Sequence, residues 1–295
     1  MYAQLARLQL FELKTIYHHN CTLSIVNYVL PSPARTGSVF RGEEMRRLKK
    51  IAVTAAAVLF WLAIWQAAAM KLDSNIILVS PFEAVRRLFG LAALGEFWES
   101  ILFSTGRVLL GFALGLAAGT ALALVSAKVK LVRALFSPLI SATKSIPVAS
   151  FTILALIWVG SKNLSVLVSF LICVPIVCAN MLEGMDQLDP KLSEMADVFR
   201  IPPQRRFIGV YLSQLLPFFR SASRLAIGLC WKSGVAAEVI GIPNGSIGEK
   251  LYQSKVYLET ADLFAWTITV ILLSRLCEKL FMLLVDLLQK RVERM

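Results

Sequence analysis

The chain has 295 residues, 57% of them hydrophobic, and a formal net charge of +12; its mean hydropathy is +0.67. Apolar runs of eighteen or more residues without charge exclude a soluble domain and predict a polytopic membrane protein. The excess of Lys and Arg is no nucleic-acid footprint, because it gathers in short segments beside the apolar runs, and no nucleic-acid partner is expected.

Residues 1–44 contain no apolar run long enough to span a bilayer and no signal-peptide layout. Gly42-Glu43-Glu44 would be encoded by a purine-rich tract just before the Met45 codon, the pattern of a ribosome-binding site. The expected division is therefore an N-terminal extension, 1–44, that is not translated in the native protein, followed by a transmembrane domain, 45–295. His18-His19 within the extension carries no metal assignment.

From Met45 a basic segment leads into a first span over residues 51–70. The next segment, 72–100, holds "SPFEAVRRLFGLAAL", whose apolar spacing predicts an amphipathic helix lying at the membrane interface. A second span covers 108–127, with Gly111, Gly115 and Gly119 in a stripe that lets a neighbouring helix approach closely. A third runs over 137–160, where Pro138 and Pro147 predict a kink or break. "SKN" then makes the turn into a fourth span ending near Leu182. A fifth is expected over 215–240 and a sixth from about Leu263.

The basic clusters at 46–50, 128–133, 191–206 and 290–294 fall at the same ends of these spans. The positive-inside rule places them, and with them both termini, in the cytoplasm. The fold class is thus an all-α membrane protein of about six transmembrane helices. Cys21, Cys173, Cys178, Cys230 and Cys277 are scattered without a paired spacing and read as small hydrophobes rather than a metal site or disulfide framework.

Between spans four and five stands "SEMADVFRIPPQRRFIGVYLSQLLPFF", far longer than a connector needs. Ser193 is the expected N-cap of a short helix, with Glu194 and Asp197 in its first turn. Pro202-Pro203 should end that helix, and "QRRFIGVYLSQLL" should resume as a second one running into the fifth span. The product is a helix–turn–helix elbow with Ala196 and Phe199 near its tip.

The fifth span carries Arg220, Arg224 and Lys232, with Glu238 near its outer end. Charges inside a membrane face a cavity, a partner or the interface. Snorkelling suffices for Arg220 and Arg224; for the deeper Lys232 the readings are a structural ion pair, snorkelling outward, or a place on a solute pathway selective for anions. Arg275 and Glu278 are spaced for a local ion pair.

No GxxxxGK[ST] loop occurs, and no metalloprotease or serine-nucleophile pattern. The chain is therefore expected to be a non-catalytic subunit without cofactor. A secondary transporter would call for an internal repeat or paired broken helices, and a membrane enzyme for a catalytic constellation; neither is present.

The elbow resembles the cytoplasmic EAA loop of ABC importer permeases, in particular the nitrate/sulfonate/taurine branch. The likeness rests on Glu194-Met195-Ala196, Phe207, Val210-Tyr211-Leu212 and Leu216-Pro217, and on "RLAIGLCWKSGVAAEVIG" at 224–241; it extends over about residues 45–290. Arg200 stands where that family usually has Gly, and Ser213 where it usually has Pro. The resemblance implies that Glu194, Ala196, Asp197, Phe199 and Arg200 couple the permease to a cytoplasmic ABC ATPase. It also implies an extracytoplasmic substrate-binding protein, a second permease copy in a homodimer, and residence in a bacterial inner membrane. Independently of the resemblance, the charges along the fifth span give the expectation that Arg224, Lys232 and Glu238 line the solute pathway.

Overall fold

A computed structural model describes residues 33–72 and 77–293. His18, His19, Cys21 and most of the expected extension lie outside the described residues. The chain divides into two units, 1–67 and 68–295. The first contains most of α1 (Pro33–Leu72), within which Ala52–Leu72 is long and apolar enough to cross a membrane. The expected start at Met45 falls inside this helix.

The second unit holds the remaining helices, and among the described residues no strand occurs. In α2 (Pro81–Ala92) the Ser80 hydroxyl accepts from the Glu83 N–H at 3.2 Å, and Pro81 takes the first helical position, where its missing N–H costs nothing. Ala84 and Leu91 are buried while Phe82 and Phe89 remain exposed, the two-faced pattern anticipated for this segment. Arg87 forks onto Asp262, with Nη2–Oδ2 at 3.0 Å, tying α2 to the start of the last helix. Asp262 in turn holds the Arg87 guanidinium above its ordinary pKa.

Next, α3 (Gly95–Lys128) has 34 residues, about 51 Å at 1.5 Å per residue, more than a hydrocarbon core requires. It is followed by α4 (Lys130–Ser145) and α5 (Val148–Asp186). The expected third span, 137–160, is not one helix. Pro138 is accommodated inside α4, and the break comes at Ile146–Pro147, both extended, because Pro147 disfavours helical backbone in the residue before it.

The turn expected at "SKN" falls one residue earlier. Gly160, at φ 70 and ψ 171, breaks α5 into two arms, and Ser161–Asn163 already belong to the second. Only glycine adopts that backbone readily.

The second arm of α5 runs parallel to α3. A Cβ on Gly111 would meet the Val166 carbonyl and Ser169; one on Gly115 would lie 2.5 Å from the Cys173 Cβ; one on Gly119 would lie 2.9 Å from both the Val174 carbonyl and the Val177 Cβ. Helix-to-helix approach this close is how membrane helices gain van der Waals contact where lipid offers no hydrophobic drive. Then α8 (Ser213–Gly241) returns antiparallel to the second arm of α5, with Gly184 against Phe218 near one end and Gly241 against Leu164 near the other. Last, α10 (Thr260–Glu293) packs along α8. Trp231, Ile227, Cys230, Phe112, Cys173 and Val177 fill the centre of this bundle.

Besides the 21-residue stretch of α1, α3 and α5 satisfy length and apolarity for crossing. At 29 and 34 residues, α8 and α10 are long enough but carry charges along their middles.

Candidate functional site

The elbow is built by α6 (Pro190–Val198), α7 (Pro203–Arg206) and a π-helical turn, Phe207–Leu212, that runs without interruption into α8. Its start corrects the expectation for Ser193. Asp189 is the N-cap, its carboxylate accepting from the Lys191 N–H at 2.9 Å, and Pro190 fills the first helical position. Asp-Pro offers both a cap acceptor and a preset φ, so it outcompetes a serine four residues on. Ser193 instead sits inside α6, its hydroxyl 3.1 Å from the Tyr211 hydroxyl. Asp197 is consequently in the last turn rather than the first, where it needs a cation, and it is paired with Arg206. Asp197, and next to it Tyr211, raise the pKa of the Arg206 guanidinium.

The end of α6 is also not made by the prolines. Arg200 adopts the left-handed conformation, φ 50. The Ile201 N–H then reaches the Ala196 carbonyl at 3.0 Å, and the Arg200 N–H reaches that of Asp197 at 3.1 Å. These are the two bonds of a Schellman cap. Arginine therefore fulfils the backbone role of the expected glycine, and Pro202-Pro203 only redirect a chain already stopped. At Ser213 the hydroxyl donates to the Gly209 carbonyl at 2.6 Å, satisfying part of the π turn that a proline there would disrupt.

Ala196 is 1% exposed and faces inward, whereas Val198 and Phe199 are 78% and 72% exposed. With Leu192 and Met195 they form an open apolar surface on α6, beside the exposed Glu194 and Arg200. The residues singled out on the elbow are thus gathered on one short helix and its cap, with Ala196 seating that helix on the segment behind it.

The charges of α8 are sorted differently. Arg220 pairs with Asp286 at 2.7 Å, and Arg224 with Glu278 at 2.9 Å. Glu278 also accepts from Arg275 at 3.2 Å, so the local pair expected on α10 is part of a link between helices. A cleft of ≈ 690 Å³ between α8 and α10 is lined by Arg224, Lys232, Arg275 and Glu278, with Trp231 and Ser274. Lys232 is exposed, and among the described residues no carboxylate lies within ion-pair distance of it.

Glu238 does not join that cleft. It is 0% exposed; its Oε2 accepts from the Ser104 hydroxyl at 2.6 Å and from the Gly248 N–H at 3.3 Å, while Ser104 accepts from the Ile247 N–H at 2.9 Å. Two backbone donors at the start of α9 (Ile247–Val256) are satisfied this way. A Cβ on Gly248 would overlap Glu238 itself. The structure therefore brings Arg224 and Lys232 together and separates Glu238 from them.

Arg206 and Ser104 escaped the sequence reading, and Glu278 was expected to pair with Arg275 alone. Asp197 and Arg206 are nine residues apart with two prolines between, and Arg224–Glu278 and Ser104–Glu238 join distant helices, so no local spacing announces any of them.

Residues 111–294 match the family model described as binding-protein-dependent transport system inner membrane component. Among curated proteins, the chain is 26% identical over 76% of its length to the putative aliphatic sulfonates transport permease protein SsuC of Bacillus subtilis, covering 81% of that protein. It is 28% identical over 73% to the protein of the same name in Escherichia coli, covering 82%. It is 27% identical over 66% to the bicarbonate transport system permease protein CmpB of Synechococcus elongatus, covering 74%. A match over more than half the chain, across the helices that form the elbow and the cleft, shows that the chain belongs to the inner membrane components of binding-protein-dependent transport systems, the permease subunits of ABC importers.

Proposed function

We propose that this permease carries a small oxyanion across the bacterial inner membrane, driven by a separate ATPase that docks on α6. The observation that carries this reading is the exposed apolar face of Leu192, Met195, Val198 and Phe199 on a helix whose own position is fixed from behind. Such a patch on a short, braced helix suits a protein partner rather than solvent. Glu194, Asp197 and Arg200 would set the register of docking. The cap at Arg200 and the Asp197–Arg206 pair make the elbow stiff enough to transmit displacement into α8, with which it is continuous.

The substrate class is supported by two features. The cleft between α8 and α10 is rich in cations, Arg224 and Lys232 among them, and the related proteins are named for sulfonates and bicarbonate, in keeping with the nitrate/sulfonate/taurine branch. The permease would act as a homodimer with both termini in the cytoplasm and receive solute from an extracytoplasmic binding protein. Glu238 supports the pathway from outside it, by fixing α9.

Uptake of a labelled alkanesulfonate or of bicarbonate tests the proposal. The permease is reconstituted in proteoliposomes with its ATPase and binding protein. Uptake that requires ATP and survives collapse of ion gradients is expected; uptake driven by an ion gradient without ATP would overturn it.

A further inference from the structure

The cleft between α8 and α10 contains three cationic side chains, Arg224, Lys232 and Arg275, against the single carboxylate of Glu278. Two positive charges are left uncompensated within helices otherwise built for a low-dielectric surrounding, an arrangement that calls for further anions. The two cations of α8 are not equivalent. Lys232 is open, whereas the Arg224 guanidinium is engaged on one side, its Nε donating to Glu278 at 2.9 Å. Glu278 is itself shared, accepting from Arg275 at 3.2 Å. Eight residues of helix put the α-carbons of Lys232 and Arg224 about 12 Å apart along the axis.

We infer that the cleft is a two-station oxyanion site in which Glu278 is the resident counter-anion of the second station. An incoming oxyanion meets Lys232 first. At Arg224 it competes with the carboxylate, which stays paired with Arg275 when it gives way. A carboxylate that holds two guanidiniums weakly enough to surrender one keeps Arg224 from binding anions too tightly to release them. The same carboxylate repels any anion that cannot replace its hydrogen bonds, so the exchange also selects for groups with several acceptor oxygens. The inference rests on the pathway reading above. The ligand chemistry, a compact oxyanion, is shared by a transported solute and by an anionic phospholipid headgroup.

The test is equilibrium binding of methanesulfonate to the full-length protein in phosphatidylcholine nanodiscs. Lys232→Met and Arg224→Met should each weaken binding at least tenfold. Glu278→Gln should tighten it about tenfold, and the Glu278→Gln/Arg224→Met double variant should lose that gain, because Glu278 acts through Arg224. A Glu278→Gln protein of unchanged thermal midpoint that binds no more tightly than wild type would overturn the inference. If that variant does not fold, Glu278→Asp, which withdraws the carboxylate by one methylene, should give a smaller gain; no gain would be equally fatal. Phosphatidylglycerol in the nanodiscs separates the two sources. Competition that disappears in Lys232→Met would support the oxyanion site and assign it to a headgroup. Wild-type transport by the assembled importer carrying Lys232→Met and Arg224→Met would end the pathway reading while leaving the binding result intact.

Discussion

The N–H of Ile201 reaches back five residues to the carbonyl of Ala196, at 3.0 Å, because Arg200 between them has turned to φ 50. That conformation costs a residue with a Cβ about 1 kcal/mol or more. Replacing Arg200 with Gly should therefore raise the thermal midpoint of the purified protein, by a gain of about 0.5–1 kcal/mol once the extra freedom of glycine in the unfolded chain is counted. Arg200→Val should lower it. If Gly and Val behave alike, the cap is not what ends α6.

Two glycines of α3 make opposite predictions. Gly111 has the Val166 carbonyl where its Cβ would be, and Gly106 has nothing within 4 Å. Gly111→Ala should destabilise by about 1–3 kcal/mol through overpacking, whereas Gly106→Ala should gain up to about 1 kcal/mol of helix propensity. Thermal unfolding in mild detergent checks both, and equal effects would contradict the close approach of α3 and α5.

The network at Glu238 should be sensitive to charge removal only when the acceptor goes too. Glu238→Ala leaves the Ser104 hydroxyl and the Gly248 N–H without their acceptor and should cost about 2–3 kcal/mol. Glu238→Gln keeps an acceptor oxygen and should retain most of the stability. The yield of folded protein and its midpoint, measured for both variants side by side, read the difference.

The elbow pair separates stability from coupling. Asp197 is largely exposed, so Asp197→Ala should change the midpoint by no more than the ~1 kcal/mol typical of a surface ion pair. Transport-coupled ATP hydrolysis should nonetheless fall, and exchanging the charges, Asp197→Arg with Arg206→Asp, should restore part of it. A charge exchange no better than either single variant would show that the pair does not stiffen the elbow.

Where the sequence was readable, the signal was local. Apolar length marked α1, α3 and α5, and the four-residue glycine period fell at the contact between α3 and α5. Proline 147 broke the helix as its chemistry requires. Two local signals were outcompeted by better ones nearby: Asp189-Pro190 displaced Ser193 as the start of α6, and the Schellman cap displaced the proline pair as its end. Gly160 turned the chain where "SKN" was expected, because a positive φ suits the glycine before those residues. The site was less legible. Lys232 and Arg224 could be seen as charges in a span, but the carboxylate that distinguishes them, Glu278, comes from a helix 54 residues away. Glu238 looked like a companion to those cations along the sequence and is instead enclosed with Ser104.

The most direct test of the central claim is affinity purification of the tagged protein from native membranes in mild detergent, with mass spectrometry of what accompanies it. Docking on α6 predicts a soluble ATPase at close to one copy per permease, lost when residues 194–200 are scrambled and sharply reduced by Val198→Ser with Phe199→Ser, in protein that remains folded. A folded permease that retains the ATPase after those changes, or that never carries one, would contradict it.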